Sequence, residues 1–144
     1  MKRIGEIVAN REVYFVREGQ TVMEAARYMA EKNIGAVLVL GTDRMTGIFS
    51  ERDVIKRVLS AGLDPEHTRI EQVMTHEMVT ADADDSYEDC LRKMKQMSIR
   101  HLPVLEKGTL QGLVSLRDLL LVDLDEKDHE LKMMTAYIHY VPPR

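Results

Sequence analysis

The sequence contains no tryptophan and a single cysteine, and its aromatic residues make up only 5% of the chain. One thiol, Cys90, excludes an intramolecular disulfide and fits a reducing compartment. No apolar run approaches the roughly 18 residues that a membrane helix needs. The apolar part of Met1-Lys2-Arg3-Ile4-Gly5-Glu6-Ile7-Val8 is too short for a secretory leader. A cytoplasmic protein without membrane contact is therefore expected. Positive charge is not in excess either. Lys and Arg number 20 against 24 Asp and Glu, and the net charge of −4 argues against nucleic acid as a partner. No Gly-x-Ser-x-Gly element, Walker loop or Gly-x-Gly-x-x-Gly turn occurs. His67, His76, His101, His129 and His139 show no metal-ligand spacing. Cys90 falls on an apolar helix stripe and reads as core rather than nucleophile. A non-enzyme without a metal is the expectation.

What is present is a duplication. The chain has 144 residues, 44% of them hydrophobic. Two halves of about 65 residues would each be marginal alone, because small chains bury too little surface. From Met29 to Asp53, 8 of 25 positions recur identically 65 residues later. Self-similarity of this kind marks a repeat architecture. The first half reads as a lead-in over 4–8, a strand at Val13–Val16, and a helix capped by Thr21 and Glu24 that stops near Asn33. Ile34-Gly35-Ala36 is the exit loop, followed by a strand at Val37–Leu40, a returning strand at Met45–Phe49 and a helix opened by Ser50. The second half follows suit. Ile70–Met74 is the lead-in, Val79-Thr80 the strand, and Ser86 the cap of a helix with Tyr87, Cys90, Leu91 and Met94 inward. Ile99-Arg100-His101 is the loop, Leu102–Leu105 and Leu110–Val114 the strands, and Ser115 the last helix start. Beyond it, Asp123–Asp128 reads as an acidic connector. Leu131, Met134, Tyr137 and Ile138 read as an accessory helix, ended by Val141-Pro142-Pro143.

The most specific repeated stretch is Gly-x-x-Ser-x-Arg-Asp, at Gly47–Asp53 and again at Gly112–Asp118. A helix N-terminus carries free amides and a partial positive charge, which suits phosphate. The serine hydroxyl and the arginine add donors. The aspartate is a fixed acceptor suited to ribose hydroxyls, and the glycine permits a tight turn and close approach of a ligand. Ser-x-x-Asp is equally an ordinary capping box that needs no ligand.

Three features together resemble a tandem pair of CBS domains (cystathionine beta-synthase domains), also called a Bateman module. They are the strand-helix-strand-strand-helix order, the segment Ile99-Arg100-His101-Leu102-Pro103-Val104, and the two Gly-x-x-Ser-x-x-Asp turns. The resemblance implies an α/β (α+β) fold of two repeats, packed sheet to sheet about a pseudo-twofold axis, over 1–64 and 65–122. Residues 123–144 form the connector and accessory helix. It also implies two clefts between the repeats. The first would use Ser50, Arg52 and Asp53, facing Thr80, Ile99, Arg100 and His101. The second would use Ser115, Arg117 and Asp118, facing Phe15, Ile34, Gly35 and Ala36. Arg100 and His101 give the first cleft extra donors. Ala36-Val37-Leu38 stands where His-Leu-Pro-like residues are common, which leaves the second poorer.

The expected function is a regulatory module binding an adenine nucleotide (AMP, ADP, ATP or NAD(H), with S-adenosylmethionine also known to the family) and passing its state to a protein partner or second subunit. The arginines favour a phosphate-bearing ligand. A scaffold with empty clefts is the alternative. The resemblance implies a homodimer, and Val54, Ile55, Leu119 and Leu120 are its candidate surfaces.

Overall fold

Val37, Leu38 and Val39 are fully buried, because their strand lies mid-sheet and is covered on both faces. That strand, β2 (Ala36–Leu40), pairs in parallel with β1 (Phe15–Arg17) and antiparallel with β3 (Met45–Ser50). Parallel neighbours need a crossover, and α2 (Val22–Lys32) supplies it. Thr21 caps α2 by accepting the Glu24 amide at 3.1 Å, and Asn33 ends it in the left-handed region at φ 56°. β3 runs through Ser50 into α3 (Glu51–Asp53), which continues as a π-helix over Val54–Leu59. The computed structural model describes residues 2–138.

The second sheet repeats this order. β4 (Ala81–Asp82) is parallel to β5 (His101–Glu106), which is antiparallel to β6 (Thr109–Ser115). Between β4 and β5 runs α5 (Tyr87–Met97), capped by Ser86 at 3.1 Å from the Asp89 amide and ended by Ser98 at φ 55°. Each sheet has a register shift at the same repeat position, Val39/Leu40 and Val104/Leu105. The predicted order thus holds in both copies. Two strands begin two residues further on than predicted. Pairing begins at Phe15 opposite Leu38 and at Ala81 opposite Val104, so Thr80 precedes its strand.

The compact units cut across the sequence repeats. One is Glu12–Val79; the other joins the N-terminal segment up to Arg11 to the chain from Thr80 onward. α1 (Ile4–Val8) therefore belongs with β4, β5 and β6. The Ile4 and Gly5 amides donate to the Asp85 and Ala83 carbonyls at 2.8 and 2.9 Å. α4 (Ile70–Val73) belongs with the first sheet. Ile70, Val73 and Met74 enter a core with Val22, Met29 and Phe49, each such burial contributing about 1.5–3 kcal/mol. Thr75 and Ile48 exchange backbone hydrogen bonds of 3.0 and 2.9 Å.

The acidic connector is a correction. Asp123–Asp128 lies inside one helix, α6 (Leu116–Ile138). The stretch has no glycine or proline, and its Leu, Glu and Lys favour helix. Its acidity is offset by pairs one turn apart, Asp123–Lys127 at 3.9 Å and Asp128–Lys132 at 3.1 Å. Leu131, Met134, Tyr137 and Ile138 sit on this helix and remain exposed, so its C-terminal part does not pack back on the described chain. The predicted Val141-Pro142-Pro143 stop lies outside the described residues.

Candidate functional site

Asp53 is 8% exposed and is held from two sides. One oxygen accepts the Ser50 amide at 3.0 Å and the Ser50 hydroxyl at 3.2 Å, while the Asp53 amide donates back to the Ser50 hydroxyl at 3.4 Å. The other oxygen faces the Arg57 guanidinium at 3.5 Å, which also donates to the Met74 carbonyl at 3.1 Å. Arg52, between them in sequence, is exposed.

The second copy is built alike. Asp118 accepts the Ser115 amide at 2.9 Å and donates its own amide to the Ser115 hydroxyl at 3.1 Å. Its cation comes from elsewhere: Arg11, just beyond α1, lies 2.7 Å from the carboxylate. Burial pushes the Asp118 carboxyl up, but the Ser115 hydrogen bonds and Arg11 outweigh it and hold the group below its ordinary value. Arg57 and Arg11 were not predicted. Arg57 had a signal, four residues after Asp53 on a helix. Arg11 had none, because only the placement of α1 brings it to Asp118. The second turn, expected to be the poorer for its lack of loop donors and for Ala36-Val37-Leu38, thus has a cation of its own in Arg11.

Two local expectations change. The motif glycines serve packing rather than a turn. A Cβ on Gly47 would sit 2.5 Å from the Met74 sulfur and 2.9 Å from the Thr75 carbonyl oxygen. One on Gly112 would sit 3.1 Å from Val8 Cβ. The glycine thus makes room for the lead-in laid across each sheet. The helix amides are also largely committed. The first, on Glu51 and Leu116, donates to the Gly35 and Arg100 carbonyls at 3.0 and 2.7 Å, and the third is bound by the serine. What these turns still offer to an anion is therefore mainly side-chain donors, above all arginine.

Within each unit the predicted loop residues lie beside that unit's own turn. Ala36 pairs with Ser50 and follows Ile34 and Gly35; His101 pairs with Ser115 and follows Ile99 and Arg100. Phe15 opens β1, 41% exposed, with the Arg17 guanidinium 5.7 Å from its ring centre. The Thr80 carbonyl accepts the Lys93 ammonium at 2.8 Å, and Arg117 is exposed on α6. Two mainly apolar grooves recur at repeat-equivalent positions. One, of about 310 Å³, includes Ala26, Met29, Ile34 and Glu51; the other, of about 410 Å³, includes Leu91, Met94, Ile99 and Leu116. Neither is lined by Asp53 or Asp118, so the concave surface and the polar turn are neighbours rather than one pocket.

Of the proposed dimer surface, Leu119 is fully buried and Val54 packs on the core, while Ile55 and Leu120 are open at 61% and 47%. Burial raises the Cys90 thiol to about 11, which leaves it unreactive at neutral pH. Among the described residues no group of three His, Cys, Asp or Glu is placed to hold a metal, and no helix is long and apolar enough to cross a membrane.

A family model for the CBS domain matches residues 4–60 and 70–125. The protein CBSCBSPB2 of Arabidopsis thaliana is 37% identical over 102 residues, 70% of this chain but 19% of that protein. The chain thus spans about a fifth of that relative. The CBS domain-containing protein YhcV of Bacillus subtilis is 35% identical over 108 residues, 75% of this chain and 76% of that protein. The crystal structure of the CBS-domain containing protein ATU1752 from Agrobacterium tumefaciens matches with a TM-score of 0.79 at 28% identity, covering 85% of this chain and 99% of that one.

Proposed function

The chain belongs to the CBS-domain family as a tandem pair, and from that premise we propose a non-catalytic regulatory module whose repeated turns bind an adenine nucleotide. Tandem CBS domains are commonly nucleotide-binding, and proteins made only of them are generally regulatory rather than catalytic. The observation that carries the reading is the pairing of a rigid carboxylate with guanidinium groups, twice in one chain. Asp53 is fixed by Ser50 with Arg57 beside it, and Asp118 by Ser115 with Arg11 beside it. A held carboxylate suits the paired hydroxyls of a ribose; arginines suit its phosphates. Arg52 and Arg117, next to each aspartate in sequence, extend the positive charge.

The ligand acts by preferring one arrangement of the module over another, and a partner or second subunit reads the difference. AMP, ADP, ATP and NAD(H) all offer ribose and phosphate. S-adenosylmethionine offers no phosphate and ranks below them. A thermal-shift and calorimetric series with these ligands tests the reading. A nucleotide at a hundred times its Kd stabilises the fold by about 2.7 kcal/mol. If no nucleotide at millimolar concentration raises Tm or releases heat, the nucleotide reading fails and a scaffold with capped, unliganded turns replaces it.

A further inference from the structure

The two turns share a motif but differ in what they leave open. At Asp53 both carboxylate oxygens are engaged. Oδ2 takes the Ser50 amide and hydroxyl, and Oδ1 faces Arg57 Nε at 3.5 Å. Arg57 is also anchored by the Met74 carbonyl at 3.1 Å, and Met74 is 1% exposed. At Asp118 the Ser115 amide and Arg11 both fall on Oδ2, at 2.9 and 2.7 Å. Oδ1 takes no hydrogen bond or ion pair from the described residues. The Asp118 side chain is 26% exposed, against 11% for Asp53. The cations also differ in origin. Arg57 lies four residues after Asp53, whereas its repeat counterpart is Val122, and Asp118 borrows Arg11 from beyond α1.

We propose that Arg57 is an autoinhibitory contact that closes the Asp53 turn, so that the Asp118 turn takes the ribose of a nucleotide first. The proposal rests on the nucleotide reading above and deepens it. A carboxylate accepts a pair of hydroxyls best through both of its oxygens. At Asp118 one oxygen is open, and Arg11 need not leave for it to accept. At Asp53 a ribose must first displace Arg57. That breaks the ion pair and strips the buried Met74 carbonyl of its donor, which is costly. Only molecules with Arg57 withdrawn can bind there, and the apparent affinity falls by that fraction. The order of filling is the reverse of the one expected from the loop donors.

Calorimetric titration of AMP into the full chain and its variants tests the order. Asp118→Asn should weaken the tighter binding event at least tenfold, and Asp53→Asn less than threefold. In the Asp118→Asn background, Arg57→Gln should tighten adenosine binding several-fold. Adenosine carries the ribose without the phosphate that loss of a cation would penalise. Circular dichroism checks that each variant is folded; if the double variant does not fold, the two single aspartate variants decide the order. A larger loss in Asp53→Asn than in Asp118→Asn overturns the proposal and leaves the nucleotide reading standing. So does adenosine bound no tighter after Arg57→Gln. AMP bound by neither the parent nor any variant overturns both.

Discussion

Replacing Gly47 by alanine separates a packing glycine from a ligand-approach glycine. The added Cβ would stand 2.5 Å from the Met74 sulfur, 2.9 Å from its Cγ and 2.9 Å from the Thr75 carbonyl oxygen. Met74 is 1% exposed and has no room to retreat. Thr75 is fixed by its paired hydrogen bonds to Ile48. Overpacking of this kind costs about 1–3 kcal/mol, and two clashes, one with backbone, argue for about 2 kcal/mol. Gly112 is the internal control. Its Cβ would press only on Val8 Cβ at 3.1 Å, and alanine's advantage in the unfolded chain, about 0.4–1 kcal/mol, nearly cancels so mild a contact. Urea unfolding followed by circular dichroism should show a lower midpoint for Gly47→Ala at unchanged slope, and Gly112→Ala within about 0.5 kcal/mol of the parent. In a thermal scan the first loses roughly 5–10 °C. If Gly47→Ala keeps full stability but loses nucleotide affinity, the glycine faces a ligand and the packing account is wrong.

Three further outcomes follow from the charged and buried groups. Arg11→Gln should cost about 1 kcal/mol at pH 7, discounted because both partners are part-exposed. The lowered carboxyl of Asp118 contributes stability above its ordinary value of 3.8 that is lost as pH falls through its folded value, so parent and variant should converge as the pH is taken below that value, as denaturation followed from pH 7 down into acid would show. The His67 ring lies 2.6 Å from Asp64, whose hydrogen bond raises the imidazole from its ordinary 6.5. That contact contributes below 6.5 and fades as pH rises through the raised value; proton NMR should show the shift and its loss in Asp64→Asn. Cys90, raised to about 11, should react with a thiol reagent no faster than the protein unfolds; rapid labelling of native protein would contradict its burial.

Much of the fold was legible because duplication checks itself. Thr21 and Ser86 cap helices at equivalent positions, and Asn33 and Ser98 end them in the same left-handed conformation. The capping pattern at Ser50 and Ser115 was legible too, as local chemistry three residues apart. What sequence could not supply was non-local. Nothing near Arg11 announces Asp118, and nothing near Gly47 announces Met74. Both depend on where a lead-in helix comes to rest. Asp123–Asp128 failed differently. Acidic composition suggested a linker, yet i,i+4 pairing with Lys127 and Lys132 sustains the helix.

The placement of α1 also dictates an order of assembly during synthesis. The unit formed by Glu12–Val79 is contiguous and can close as soon as its last residue emerges. The other needs both the segment up to Arg11 and the residues from Thr80 onward, so α1 must wait, its apolar face unsatisfied, until β4, β5 and β6 exist. Closing that gap joins positions roughly 80 residues apart, the slow, high-contact-order step of the whole chain. An N-terminal fusion or truncation should therefore slow or block maturation of the C-terminal half while leaving the central unit intact.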